Sequence, residues 1–101
     1  MLLRKEVEAT LNECIRIRRD LHKIPETGFE EFKTSAYIQK VLKQTNPDKM
    51  EILAGTGVKA VYFAQNAKKT IALRADIDAL DMHETTNTSY SSINSGKMHS
   101  C

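Results

Sequence analysis

Thr70-Ile71-Ala72-Leu73-Arg74-Ala75-Asp76-Ile77-Asp78-Ala79-Leu80 is the stretch that decides how this chain is built. Its first half, Thr70 to Ala75, is a short apolar run that predicts a strand. Its second half carries two carboxylates two residues apart. On a strand, residues i and i+2 share a face, so Asp76 and Asp78 would be presented together at the strand's C-terminal end. That end is where sites tend to form in α/β sheets, and such a pair invites a cation, a His or an Arg. Locally, a turn closed by Asp side chains explains the same residues equally well.

Toward the N-terminus, Gln65 to Lys69 reads as a polar loop. Before it, Val58, Ala60, Tyr62 and Ala64 alternate with Lys59, Val61 and Phe63, which predicts a strand with both faces partly covered. Ala54-Gly55-Thr56-Gly57 is a turn with glycines where positive φ is expected, and Met50 to Ala54 is a further short strand. A hairpin is expected across Gln65–Lys69. The segment from Leu3 to Lys23 is helical: Val7, Leu11, Cys14, Ile15, Arg18 and Leu21 form one stripe, with Arg18 the exception. Pro25 ends it, because the residue before a proline is pushed out of the α region. Thr27 and Glu30 have capping-box spacing, predicting a second helix to about Thr45 that buries Phe29, Phe32, Ala36, Ile38, Val41 and Leu42. Asn46-Pro47-Asp48 stops it. The order predicts an α/β fold with two N-terminal helices packed on a sheet. Because both helices precede the strands and no βαβ alternation is seen, α+β is the alternative.

Toward the C-terminus, Asp81 to Ser100 is rich in Thr, Ser and Asn and predicts an irregular stretch near the surface. A long loop of this kind is usually functional or disordered. It ends in Met98-His99-Ser100-Cys101. His and Cys are metal ligands or parts of a thiol site, but two ligands do not close a zinc site, so locally the pair reads as incidental. His22 ends the first helix and reads as a partner of its C-terminal dipole. His83, beside Glu84, reads as a solvated loop histidine. No G-x-S-x-G elbow, P-loop or G-x-G-x-x-G is present.

With 101 residues the chain is one domain or part of one. Hydrophobic residues make up 41% and charged residues 28%, which is ordinary for a soluble globular protein. Fifteen Lys and Arg against thirteen Asp and Glu leave +2, too little to predict a nucleic-acid or acidic-membrane partner. The one dense basic run, Arg16-Ile17-Arg18-Arg19, is followed by Asp20 and reads as a solvated helix side. No apolar run approaches the ~20 residues of a membrane span. Cys14 and Cys101 are too far apart in sequence to suggest a disulfide framework. Met1-Leu2-Leu3 runs straight into Arg4-Lys5-Glu6, which is no signal-peptide pattern, so a cytoplasmic setting is expected.

Together these pieces resemble one family. Arg18-Arg19-Asp20-Leu21-His22-Lys23-Ile24-Pro25-Glu26-Thr27-Gly28-Phe29-Glu30-Glu31 is similar to the RRDLHxxPExGFEE segment of bacterial N-acyl-amino-acid amidohydrolases. Thr56-Gly57-Val58 resembles their TGV turn, and Leu73 to Leu80 their LRADMDAL segment with Ile77 at the Met position. Glu84, Tyr90, Ser92, Gly96 and Met98-His99-Ser100-Cys101 fall at matching spacings up to the MHACGHD motif. The resemblance covers about Ile15 to Cys101. It departs at Asp81, where the family usually has Pro, and at Asn87-Thr88-Ser89, where it has Gly-Leu-Pro; both changes predict a looser loop. The family sits in the aminoacylase and zinc-carboxypeptidase clan.

The resemblance implies that residues 1–101 are the N-terminal part of an aminoacylase-like catalytic domain, with the rest of that domain and a lid domain lying elsewhere. It implies a divalent metal, zinc or manganese, that activates a water for attack on the amide of an N-acyl amino acid or small peptide-like substrate. Cys101 matches the family's metal-ligand Cys. Asp78 matches the Asp that, in the wider clan, follows the metal-binding His and orients it. Asp76 stands where the clan has that His, and His99 belongs to the motif without a ligand role. The motif's Gly-His-Asp and a Glu-Glu pair would follow Cys101. One thiolate cannot hold a catalytic metal in a defined geometry, so these residues alone are expected to be inactive. A sheet cut after three strands leaves an edge and an apolar face open, so homo-oligomerisation or self-association is expected. The alternative is a non-catalytic binding domain that retains the pattern.

Overall fold

A computed structural model describes residues 2–100, with side chains from residue 4 to residue 100. Its elements are α1 (Leu2–Lys23), α2 (Phe32–Lys43), β1 (Lys49–Leu53) and β2 (Gly57–Val61). The two strands pair antiparallel, from Lys49 opposite Val61 to Leu53 opposite Gly57. The fold is the expected α/β one, two helices followed by a sheet. α2 lies against β2, and α1 is joined to α2 where Tyr37 Oη donates to Asp20 Oδ2 at 2.6 Å.

α1 runs to Lys23, and the amide of Ile24 closes its last turn on the Leu21 carbonyl at 3.1 Å. Pro25, buried, then turns the chain. Val7, Leu11 and Ile15 lie on its apolar stripe but are 59%, 53% and 39% exposed. Arg4–Glu8 and Arg16–Asp20 pairs, one turn apart, support the exposed side.

The second helix begins later than the capping-box reading predicts. Residues Thr27 to Glu30 form a turn in which the Glu30 amide donates to the Thr27 carbonyl at 3.0 Å, and Phe29 takes a positive φ of 66°. Glu26 supplies the cap instead. Its Oε2 accepts from the Lys33 amide at 3.1 Å. Its Oε1 accepts from the Thr34 amide at 2.6 Å and from the Thr34 hydroxyl at 2.7 Å. A carboxylate suits the free N–H groups and positive dipole end of a helix. This docking turns the short polar residues Thr34 and Ser35 inward. The expected buried face is corrected accordingly: Phe29, Phe32 and Ala36 are exposed, while Ile38, Val41 and Leu42 are half-buried.

The hairpin forms across Ala54-Gly55-Thr56, not across Gln65–Lys69. Ala54 and Gly55 both take positive φ, 51° and 83°, the conformation that tight hairpin turns require. At Gly57 any side chain would meet the Leu53 carbonyl oxygen 2.9 Å from its Cβ, so this turn is closed by a glycine with no room to spare. Thr56, buried at the turn, donates its hydroxyl to Glu31 Oε2 at 2.6 Å and so ties the hairpin to the head of α2. That bond is the main reason the Glu31 carboxyl titrates below its ordinary range.

The strand expected over Thr70–Ala75 is absent among the described residues. Ile71 and Leu73 are 87% and 97% exposed. A strand exists through its neighbour's N–H and C=O groups, and no described residue pairs with this run. Asp81 to Ser100 is irregular, as expected, apart from one antiparallel bridge between Leu80 and Met98. Among the described residues Ala79 and Pro25 are buried apolar side chains, and polar groups such as Thr34, Ser35, Glu31 and Thr56 fill much of the rest of the interior.

Candidate functional site

The irregular segment is seated on the end of α1 by backbone bonds. The Ile93 amide donates to the Lys23 carbonyl at 2.9 Å, and Ala79 donates to the Glu26 carbonyl at 2.8 Å. Asn94 Nδ2 donates to the Pro25 carbonyl at 2.8 Å. Leu80 and Met98 exchange both of their backbone bonds at 3.0 Å. Carbonyls at a helix end and in the turn beyond it need partners, and residues 79–94 provide them.

At the centre stands Glu84, its side chain 5% exposed, against His22 at 12%. His22 Nε2 lies 3.0 Å from Oε1 and 3.1 Å from Oε2. An ionised carboxylate only accepts, so Nε2 carries the proton. The Ser92 amide donates to Oε1 at 2.7 Å, and the Thr86 hydroxyl donates to Oε2. The Thr86 hydroxyl, then the Ser92 amide and His22, outweigh burial and hold the Glu84 carboxyl down to about 2. Tyr90 meets the His22 ring edge-on, centroids 5.8 Å apart. The Arg19 guanidinium lies 4.7 Å from the Tyr90 ring centre. The turn between Glu84 and Ser92 is stapled rather than loose. Asn87 takes a positive φ of 53°, which Asn tolerates, and Ser91 Oγ both accepts from the Thr88 amide and donates to its carbonyl at 2.9 Å.

His99 is next to this pair, its ring centre 6.4 Å from that of His22. Burial, then the charge on His22, pushes its pKa down, opposed by the backbone carbonyl and carboxylate of Asp78. Its Nε2 is buried without a hydrogen-bond partner. Asp78 thus reaches His99, although Asp78 itself is exposed. Asp76 makes no hydrogen bond to these groups: its carboxylate pairs with Arg74 at 3.0 Å in solvent. The two carboxylates do, however, line one groove of about 300 Å³ with Glu31 and Thr56. A second cleft of about 410 Å³ is lined by Leu21, His22, Ile38, Asp76 and His99. His83 is exposed, as expected.

Cys101, expected as a metal ligand, lies outside the described residues. Among the described residues no group of three or more His, Cys, Asp or Glu side chains could hold a metal ion. The free His99 nitrogen beside Asp78 is one unsatisfied donor atom, not a coordination set, so these residues do not by themselves fit a metal.

Sequence reasoning placed His22 at the helix dipole and gave Glu84, Tyr90 and Ser92 no role. Their signal was available only as matching positions in the resemblance. A contact between residues 22 and 84 leaves no trace in periodicity.

Compared with known proteins, the chain is 46% identical over 92 residues to the N-acetyldiaminopimelate deacetylase of Bacillus subtilis, covering 90% of this chain. It is 42% identical over 92 residues to the enzyme of the same name from Listeria monocytogenes, again over 90% of the chain. In each case it spans about 25% of the relative's length. Among solved structures, it superposes with a TM-score of 0.90 and 36% identity on a methicillin-resistant Staphylococcus aureus protein assigned as an aminohydrolase, over 98% of this chain and 26% of that one. A dinuclear metal-binding peptidase from Bacillus subtilis matches with a TM-score of 0.80 and 38% identity, over 91% of this chain and 26% of that one. No family model matches the chain.

Proposed function

Residues 1–101 belong to the metal-dependent N-acyl-amino-acid amidohydrolases, and on that premise we propose that they form the N-terminal part of the catalytic domain of a hydrolase that cleaves the amide of N-acyl amino acids. One observation carries the reading. The two outer segments of the resemblance, around His22 and around His99, lie far apart in sequence yet meet, with ring centres 6.4 Å apart. Residues gathered from distant segments at one spot are what a site requires and what a simple helix-and-hairpin scaffold does not.

In this reading a divalent ion, zinc or manganese, would be held by Cys101 together with ligands from the rest of the domain. The chemistry supplied there would be an activated water and a polarised amide carbonyl. The residues described here do the supporting work. The Asp78 backbone carbonyl accepts from His99 and steadies its ring. Glu84 and His22 hold the segment that leads there. The 101 residues alone are expected to turn over no substrate, because one thiolate cannot hold a catalytic metal in a defined geometry and the chain spans about 25% of the relatives' length.

The test is Cys101→Ala in the full-length hydrolase. Hydrolysis of an N-acetyl amino acid should fall below detection, and metal content measured by atomic emission should drop. Retained turnover with full metal content removes Cys101 from the ligands. A wild-type protein that hydrolyses no N-acyl amino acid but binds one favours the non-catalytic alternative.

A further inference from the structure

Glu84 and His22 occupy the least exposed ion pair among the described residues, yet the proposed chemistry asks nothing of them directly. Neither is part of the Asp76–Asp78 run or of the segment around Cys101. What they join is unequal. His22 sits on the last turn of a 22-residue helix, a rigid element. Glu84 lies in a segment without regular structure, which cannot place itself.

Glu84 anchors that segment at two points. One carboxylate oxygen takes the Ser92 amide at 2.7 Å, closing residues 84–92 into a loop. Both oxygens face His22 Nε2 at 3.0 and 3.1 Å, which fixes the carboxylate's direction as well as its position. The neighbours reinforce this: Tyr90, inside the loop, packs edge-on against the His22 ring, and Arg19, one turn back on α1, covers Tyr90. Beyond the loop the chain is bound again where Ile93 meets Lys23 and Met98 meets Leu80. The residue after Met98 is His99, whose Nε2 is buried without a hydrogen-bond partner. The location of His99 relative to α1 is therefore set by these backbone bonds together with the His22–Glu84 pair.

We propose that His22 is a positioning residue: its Nε2–H holds Glu84, and through it locks the 84–92 loop and the His99 end of the segment onto the C-terminus of α1. His22 does not touch substrate. It preorganises the catalytic end of the hydrolase, a role that rests on the function proposed above. Preorganised geometry matters steeply, since a displacement of about 1 Å can cost on the order of 100-fold in rate.

The experiment compares His22→Ala and His22→Gln with wild type in the full-length metal-loaded hydrolase. Three quantities are read: amide hydrogen exchange at Ser92 and Met98, kcat and KM for an N-acetyl amino acid, and metal content. The Ala variant should lose exchange protection at both amides by at least about tenfold and lose kcat by roughly 10- to 100-fold, with KM within about threefold of wild type. Gln, whose side-chain amide can donate to Glu84, should recover most of both. Wild-type exchange and kcat in the Ala variant overturn the proposal. So does a loss confined to KM, which would make His22 a substrate contact, and so does a Gln variant with restored exchange but no restored kcat. The function reading fails separately, if wild type hydrolyses no N-acyl amino acid. The exchange at Ser92 and Met98 then still decides whether His22 positions the loop.

Discussion

Residues 26–63 and residues 64–100 are held together in opposite ways. The first region is a helix and a hairpin, in which each residue's backbone bonds are repeated by its neighbours'. The second has a single bridge, Leu80 with Met98, and otherwise hangs on individual contacts to α1 and its following turn. The contrast shows where a carboxylate matters. At Glu51 it decorates a ladder that would stand without it. At Glu84 it is itself the joint.

Acid should break the second region first, and this is the largest effect expected. Glu84 titrates at about 2 in the folded chain, below its ordinary 4.5. A depressed carboxyl pKa contributes stability that is complete above 4.5 and is lost as pH falls toward 2. Lowering the pH through that window should release residues 84–92 and abolish the near-ultraviolet circular dichroism of Tyr90 before the far-ultraviolet helix signal falls. Simultaneous loss of both signals would show that the two regions are not separable.

Within the first region, Thr56→Val removes the hydroxyl that serves buried Glu31. Shape is kept, but a buried acceptor loses its partner, so urea denaturation should show a loss of about 1–3 kcal/mol. The smallest effect belongs to Lys59→Ala. Lys59 faces Glu51 across the hairpin at 3.2 Å, with both side chains about half exposed. Its loss should change stability by about 0.5 kcal/mol or less.

The same division governs what could be read in advance. The end of α1 at Pro25 and the turn at Ala54–Thr56 are local events, written in a proline and a glycine, and the sequence shows them. The start of α2 at Phe32 departs from the expectation because Thr27, though it has the right spacing for a cap, lies in a turn. Glu26, one residue earlier, instead reaches the amides of Lys33 and Thr34, three and four residues beyond Glu30. Thr70–Ala75 has the composition of a strand, but pairing is a property of two segments. The joint between His22 and Glu84 is longer-range still, and only the family resemblance marked those positions at all. Of the expected site, the resemblance marked Asp76 and Asp78, but neither the contact of Asp78 with His99 nor the pairing of Asp76 with Arg74 could be read from it, because both depend on how distant segments meet or on local side-chain choice.

The uncovered run from Ile71 to Leu73 bears on how copies of this chain meet one another. Short β-prone apolar stretches invite edge-to-edge stacking when left open. Here Lys68 and Lys69 stand before it and Arg74 directly after it. Two such stretches aligned in register would bring those cations face to face. The run is thus guarded by charge repulsion at both ends, in the manner of gatekeeper residues, and raising the salt concentration removes the guard.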